Sequence, residues 1–158
     1  MSSISQTSNF QIIGKPTPAV SSRDKVTGRA QYTDDIRIKN PLFIRILRSQ
    51  KASANILSID INKAKALPGV RAILTGSDFH RTFGVLPISK DEPALAKNRV
   101  RYFGEPVAAV SAETAEVAAK ALDLIEVQYE ETPECLSLQE GLKETDHLIH
   151  PELKKETN

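Results

Sequence analysis

The chain has 158 residues, of which 40% are hydrophobic and 26% charged, and its 21 basic residues nearly balance its 20 acidic ones. This composition is typical of one globular domain of ordinary size with its own hydrophobic core. The net charge of +1 gives no electrostatic reason to expect nucleic acid or an anionic membrane surface as a partner.

The two ends of the chain and its single cysteine give further expectations. Residues 1–12 are Ser-rich and polar, which predicts a flexible tail without the basic start and apolar stretch of a secretory signal. No apolar run approaches the length that spans a bilayer. Cys135 has no partner for an internal disulfide, and this favours a reducing compartment, most simply the cytoplasm.

The first predicted elements lie between residues 14 and 49. Residues 24–28 (DKVTG) indicate a short helical turn that ends at its glycine, and residues 29–35 are expected to be extended. Residues 42–49 (LFIRILRS) predict a strand because β-branched and aromatic side chains dominate them. Their apolar residues are nearly continuous, which indicates a strand covered on both faces.

A strand–helix–strand pattern follows. Residues 56–60 and 70–74 are predicted strands, and Asp60 is expected to cap a short helix over residues 61–66. The Pro-Gly pair at 68–69 ends that helix. Residues 77–79 could begin another helical turn.

The middle of the chain reads as a long surface loop followed by a hairpin. Residues 80–98 carry glycine, two prolines and clustered charges, which are typical of irregular structure. Residues 99–103 and 106–110 are predicted to be paired strands around Gly104 and Glu105. Pro106 lacks a backbone donor and therefore belongs at the start of its strand.

The best helix signal covers residues 113–124, where alanines and Leu122 recur at helical spacing. A strand over residues 125–129 and a short helix over 138–142 follow, and residues 143–158 form a polar C-terminal tail. The fold class predicted is α+β, or mixed α/β, with a small twisted sheet, a hammerhead-like strand excursion and two packing helices. One domain is expected over residues 13–142.

Histidine and cysteine offer little chemistry in this sequence. His147 and His150 have a spacing that could align them on one helix face, but zinc needs three or four ligands. His80 has a near-neutral intrinsic pKa, yet no serine or cysteine nucleophile is linked to it by sequence. Cys135 has no adjacent base, so an inert thiol is expected.

The acidic and glycine-containing motifs are equally weak. Asp34–Asp35 and Asp91–Glu92 are adjacent carboxylates, which can share a proton or hold a cation. Neighbouring side chains of an extended chain point to opposite faces, so both pairs are predicted to be solvated turn residues instead. Residues 104–106 (GEP) are too short for a phosphate loop and open no helix. We therefore assign no catalytic, cofactor-binding or metal-binding residue to the chain.

Several ordered motifs nevertheless resemble one family. The motifs are found at residues 24–35 (DKVTGRAQYTDD), 48–60, 66–70 (ALPGV), 74–79 (LTGSDF), 100–108 (VRYFGEPVA) and 127–130 (VQYE). Together they are similar to the N-terminal hammerhead domain of the molybdopterin-binding large subunit of molybdenum hydroxylases, the xanthine dehydrogenase and aldehyde oxidase type. The resemblance covers about residues 13–142.

Residues 83–87 (FGVLP) look most like the 4-hydroxybenzoyl-CoA reductase and N-heterocycle hydroxylase branches. One departure stands out, because many relatives carry a Pro-His-x-His sequence after the Arg-Ser pair. Here Gln50, Lys51 and Ser53 follow that pair. The polar contacts of those imidazoles are therefore not carried over to this chain.

The resemblance implies the front part of an oxidoreductase subunit rather than its active centre. In the family the glycine-rich cofactor loops and the glutamate that acts as base at the molybdenum lie downstream of this domain. The resemblance therefore implies no cofactor bound by this chain alone, with molybdopterin in a cofactor-bearing partner chain and Fe–S and FAD in other subunits. The residue 82–97 loop is the segment expected to help wall a substrate funnel.

Three functional interpretations follow. The first is a non-catalytic domain, or a split or truncated subunit, of a molybdenum hydroxylase that packs against the cofactor-bearing chain. The second is a free-standing protein-interaction module, and the third is a non-functional gene fragment. An orphaned domain is expected to expose a large apolar patch, whereas an independent module should cover its apolar faces.

Overall fold

A computed structural model describes residues 11–85, 90–143 and 149–150. The chain divides into two compact units, residues 1–39 and residues 40–158. The first unit contains helix α1, Ser22–Val26, and the positive φ of 68° at Gly28 turns the chain just after it. The predicted helical turn is therefore present, and glycine follows it because an L side chain would be strained at that φ.

The extended conformation predicted for residues 29–35 is wrong at its end. Thr33–Asp35 form a 3₁₀ helix. The Tyr32 backbone N–H donates to the Asp35 carboxylate over 3.0 Å, and the Asp35 N–H donates to the Tyr32 carbonyl. An aspartate three residues after a turn start can bond back to the backbone in this way, which competes with extended structure.

The second unit contains two three-stranded antiparallel sheets. The first has the order β1-β5-β3 and the second the order β4-β2-β6. The α+β prediction is confirmed, with the strands divided between two sheets. The elements are β1 Phe43–Arg48, β2 Ala54–Asp60, α2 Asn62–Lys65, β3 Val70–Thr75, β4 Arg99–Val100, β5 Pro106–Ala112, α3 Ala115–Asp123, β6 Glu126–Glu131 and α4 Leu138–Gly141.

The predicted hairpin around Gly104 and Glu105 is wrong. Strand β4 pairs with β2, whereas β5 pairs with β1 and β3. The turn bonds instead to the end of β1: the Gly104 N–H donates to the Ser49 carbonyl over 2.8 Å and the Ser49 N–H to the Glu105 carbonyl over 2.9 Å. These bonds direct β5 away from β4 and into the other sheet.

Helices α2 and α3 pack against one face of the first sheet. The Asp60 carboxylate accepts the Asn62 N–H over 2.9 Å at the start of α2, and the Thr114 hydroxyl accepts the Val117 N–H at the start of α3. Alanines bring these helices close to the strands, and one core cluster is Ala64, Ala108, Val110, Ala121 and Ile125. A second cluster links the sheets through Ala54, Ala96, Val100 and Val107.

Strand β1 is not covered on both faces, contrary to the sequence prediction. Its burial is low along its whole length, and only Leu47 is half-buried. Because successive side chains of a strand point to opposite faces, the helices can cover only one set of them. The continuous apolar run in β1 therefore leaves part of its hydrophobic surface open.

Gly76 marks a close approach between the end of β3 and the segment before β4. A Cβ atom there would lie 2.4 Å from the Ala96 carbonyl oxygen and 2.6 Å from the Lys97 Cα. Both are backbone atoms and cannot rotate away, so Gly76→Ala is expected to lower the free energy of unfolding by about 1–3 kcal/mol. Urea denaturation measures this change.

A matched control for that substitution is Gly141→Ala in α4. There the added Cβ would meet only the Cys135 sulfur, at 3.4 Å, which is ordinary contact with a side chain. We expect this variant to unfold near the wild-type midpoint. If both variants lost the same free energy of unfolding, the close approach of Gly76 to Ala96 and Lys97 would not be what excludes a side chain at position 76.

Candidate functional site

One face of the first sheet is apolar and open. The register places Ile44 opposite Ser111, and Ala109 between Ile46 and Leu74. The exposed fraction is 68% for Ile44 and 42% for both Ile46 and Leu74. We call this surface the outer face, and it consists of Ile44, Ile46, Ala72, Leu74, Ala109 and the polar Ser111.

The charge pattern of β1 is the reverse of that expected for a solvent-facing strand. Arg45 shares the side of the sheet on which α3 packs, while its apolar neighbours Ile44 and Ile46 occupy the outer face. The pKa of Glu116 on α3 is lowered, chiefly by its backbone hydrogen bond and by Thr114, with a smaller contribution from the charge of Arg45. An antiparallel strand with one face in water normally places its polar side chains on that face.

A cavity of about 370 Å³ lies between the turn after β3 and the segment before β4. Phe79 and Pro93 form part of its wall. Four basic side chains also line it, and Asp91 is the one carboxylate among the lining residues. The cations are Arg81, Lys97, Arg99 and Arg101.

The turn before β5 is held by a buried carboxylate. Glu105 is 5% exposed, accepts a hydrogen bond from the Arg101 backbone N–H, and lies 3.8 Å from the Arg101 guanidinium. The Arg48 guanidinium donates to the Gly104 carbonyl over 2.9 Å. The sequence predicted a hairpin turn at Gly104 and Glu105 and excluded a phosphate loop over residues 104–106, but the burial of the Glu105 carboxylate was missed. A glutamate between glycine and proline at a strand start was the available signal.

Ser49 lies beneath the same turn and is buried. Its hydroxyl accepts the Lys51 N–H over 3.0 Å and donates to the Lys51 carbonyl over 2.9 Å. Burial raises the pKa of Tyr129, and a hydrogen bond with Ser49 partly offsets that rise. The polar groups under the turn therefore have partners, as buried polar groups require.

The histidines weighed from the sequence lie apart from one another or outside the described residues. His80 is exposed at the cavity, and the His150 Nδ1 atom lies 3.2 Å from an Asp91 carboxylate oxygen. His147 lies outside the described residues, so the proposed pairing with His150 stays untested. Cys135 is half-buried, and its thiol donates a long contact of 3.6 Å to the Ser137 carbonyl.

In each acidic pair the two residues have different surroundings. Asp34 is exposed while Asp35 closes the 3₁₀ turn. Asp91 faces His150, and Glu92 forms a backbone bridge to Phe83. Asp91 and Glu92 were predicted to be solvated turn residues, and this is wrong for Asp91, whose side chain is mostly covered and lies beside the His150 imidazole.

The described side chains do not provide a donor set for a metal. Within residues 11–85, 90–143 and 149–150, no three His, Cys, Asp or Glu side chains are close enough to share an ion. No helix in those ranges is long and apolar enough to cross a membrane. We derive no catalytic step through these residues, and the prediction that the chain carries no catalytic or cofactor-binding residue stays a prediction.

Asp78 closes the turn that forms one edge of the cavity. Its carboxylate accepts the Thr75 N–H over 2.7 Å, and this bond, followed by one from the Thr75 hydroxyl, lowers the pKa of Asp78. A folded-state pKa below the unfolded value of about 3.9 means that the ionised carboxylate stabilises the fold above that pH. The contribution is lost as the pH falls through the lower, folded-state pKa.

We therefore expect Asp78→Ala to be less stable than the wild type at pH 7, with a difference that narrows below about pH 4. Urea unfolding midpoints at pH 7 and pH 3 measure this. Asp34→Ala, at an exposed aspartate of the first unit, is the control. If the difference in unfolding midpoint between Asp78→Ala and the wild type were the same at pH 7 and pH 3, the assignment of Asp78 as an ionised cap would be contradicted.

These features define a class of domain: α+β, with two antiparallel three-stranded sheets, helices on one sheet face and an uncovered apolar face. The sequence-family model of the aldehyde oxidase and xanthine dehydrogenase a/b hammerhead domain matches residues 27–133. This match covers more than half of the chain. The chain belongs to the aldehyde oxidase and xanthine dehydrogenase family, as its hammerhead domain.

Curated relatives agree with that assignment. The chain is 35% identical over 147 residues to the nicotinate dehydrogenase large molybdopterin subunit of Eubacterium barkeri, covering 90% of this chain and 33% of that subunit. It is 34% identical over 150 residues to xanthine dehydrogenase/oxidase of Mus musculus, covering 94% of this chain and 11% of that enzyme. The chain thus spans a third or less of the length of these relatives.

Solved structures share the fold. The aldehyde oxidoreductase from Desulfovibrio desulfuricans matches with a TM-score of 0.77 and 28% identity, over 89% of this chain and 17% of that one. The Cu,Mo-CO dehydrogenase matches with a TM-score of 0.74 and 33% identity, over 89% of this chain and 18% of that one. The family resemblance found in the sequence motifs is therefore confirmed.

Proposed function

We propose that the chain is a non-catalytic part of a molybdenum hydroxylase and packs by its outer face against the cofactor-bearing part of the large subunit. The outer face is the observation that carries this proposal. Four aliphatic side chains from two strands flank β5, where Ala109 and the uncharged Ser111 lie between them. Contiguous exposed apolar surface of this kind marks an interaction site.

The occupant follows from the family and from the sizes involved. The chain spans 33% of the nicotinate dehydrogenase subunit and 10% of a rat xanthine dehydrogenase/oxidase, so the rest of such a protein is available to cover the face. Whether that part belongs to the same polypeptide or to a second one does not change the physical requirement. A free-standing module should place polar residues on this face, and the inverted position of Arg45 disfavours that alternative.

The cofactor proposal follows from the same separation of a supporting domain from the cofactor-bearing part of the subunit. Molybdopterin would be held by the remaining part of the subunit, with Fe–S and FAD groups in other subunits, and the protein would work in the cytoplasm. We propose no substrate or electron acceptor.

Affinity purification from the native source tests this function. The chain should be recovered with a molybdenum-containing protein, detected by elemental analysis for molybdenum and by pterin fluorescence after oxidation. Mass spectrometry should then identify whether the associated part is a second chain. Recovery of the chain alone, as a monomer without either signal, would contradict the proposal.

A further inference from the structure

We propose that the basic cavity of the second unit binds a small organic anion, with a carboxylate or phosphate held by the cationic side chains. The cavity is lined by residues between Gly76 and Arg101. It shares no residue with the outer face, so this proposal does not depend on the proposed function. Part of its wall belongs to the residue 82–97 loop, but docking through the outer face assigns no ligand to these charges.

The charge balance is the first argument. Arg81, Lys97, Arg99 and Arg101 line the cavity with Asp91, and Glu105 supplies a counter-charge to Arg101, so the basic side chains outnumber these two carboxylates by two. The whole chain has a net charge of only +1, so this excess is local. Concentration of one sign of charge in a concave, partly desolvated site strengthens its field and favours an anionic ligand.

Among the described residues, the carboxylates near the cavity have partners other than Arg81 and Lys97. Asp91 faces His150, and Glu105 approaches Arg101 from the buried side of the turn. Arg81 and Lys97 are exposed, and among the described residues neither forms an ion pair. Two cations are therefore available at the cavity mouth without the rupture of an existing salt bridge.

The shape of the cavity argues for an organic anion rather than a bare inorganic ion. Its volume of about 370 Å³ lies within the range of small-molecule sites. Phe79 and Pro93 provide apolar wall beside the charged groups. A flat apolar body with one anionic group would contact the wall and the cations at the same time.

The cavity is also held in shape by its backbone. The tight contact of Gly76 with Ala96 and Lys97 fixes the turn against the opposite wall, and the Ala96 N–H donates to the Pro106 carbonyl over 2.7 Å. The backbone at Lys97 is therefore anchored while its side chain is exposed. A site whose backbone is already ordered loses less entropy when a ligand binds.

Isothermal titration calorimetry on the full 158-residue chain at low ionic strength tests the proposal with three probes. Benzoate and phenyl phosphate supply the two anionic groups, and benzamide is the neutral analogue of benzoate. We expect at least one anion to bind about tenfold or more tightly than benzamide, with affinity falling as salt is raised. Equal binding of benzoate and benzamide, or no binding of any probe, would overturn the proposal.

A charge-removing double variant locates the site. Arg81→Gln with Lys97→Gln should weaken binding of the preferred anion about tenfold or more. The matched control is Lys65→Gln with Lys120→Gln, two exposed lysines on α2 and α3 outside the cavity, and it should bind as the wild type does. Cooperative thermal unfolding checks that each variant is folded.

Two further outcomes are decisive. If both double variants weaken binding equally, the anion responds to overall charge and the cavity is not its site. If the Arg81 and Lys97 double variant is misfolded, Lys97→Gln alone gives the test, because its exposed side chain can be shortened without changing the anchored backbone. Unchanged binding in that folded variant would overturn the assignment.

Discussion

Replacement of Glu105 by alanine should lower the free energy of unfolding by about 3 kcal/mol. The carboxylate is almost completely buried, accepts the Arg101 backbone N–H and lies beside the Arg101 guanidinium. Its removal takes an acceptor from a buried donor and a counter-charge from a mostly covered cation. Both changes leave a covered polar group without its partner, and water cannot fully replace that partner.

The expected loss is large because Glu105 also fixes where the chain goes next. The turn that it closes directs β5 into the centre of the first sheet. Guanidinium chloride denaturation, followed by circular dichroism, measures the change. Glu105→Gln, which keeps an acceptor oxygen but not the charge, should lie between the alanine variant and the wild type.

Glu134→Ala is the matched control, because this glutamate is exposed and follows β6 outside the core. Surface substitutions of this kind usually change stability by less than about 0.5 kcal/mol. If Glu105→Ala lost no more than this control, the buried carboxylate would be a passive feature of the turn. The direction of β5 would then depend on the backbone bonds to Ser49 alone.

The elements that could be predicted from the sequence are those specified by local signals. Helix α3 has an alanine stripe and a threonine cap, and Asp60 caps α2 as expected. The failures arose where a non-local bond decided the structure. The residue 99–110 hairpin was favoured by proximity, but the bonds from Gly104 and Glu105 to Ser49 connect positions far apart in sequence.

The candidate surfaces also depend on contacts that no sequence window contains. The outer face combines β1 with β3, which are separated by β5 in the sheet. In the basic cavity, Lys97 approaches the turn at Gly76 only because the intervening segment folds back. The sequence correctly predicted irregular structure over residues 80–98, and its motifs correctly indicated the family. Neither signal predicted which basic side chains would lie together at the cavity.

The inverted charge pattern of β1 links the fold to the proposed function. Arg45 lies on the helix side, where its charge contributes to the lowered pKa of Glu116, while Ile44 and Ile46 occupy the outer face. In water such a face stabilises nothing and creates a risk of aggregation. Burial against a partner would return about 25 cal/mol for each Å² of apolar surface removed from water.

We expect Ile46→Glu with Leu74→Glu to weaken association with the molybdenum-containing partner more than about a hundredfold. The two side chains flank Ala109 at the centre of the outer face and are each 42% exposed. Two carboxylates buried there against an apolar partner would have no cation to pair with. In the isolated chain both sites stay partly open to water, so the free energy of unfolding should fall by about 1–3 kcal/mol and the chain should remain folded.

Leu57→Glu with Leu136→Glu is the matched control, because both leucines are exposed and lie outside the outer face. Each double variant adds two negative charges, so a difference between them reflects position rather than net charge. Recovery of the molybdenum signal after affinity purification measures association. If both double variants kept the molybdenum signal, the docking surface would lie elsewhere. If both lost it equally, the cause would be a general effect of charge. Only a loss confined to the Ile46 and Leu74 variant supports docking through the outer face.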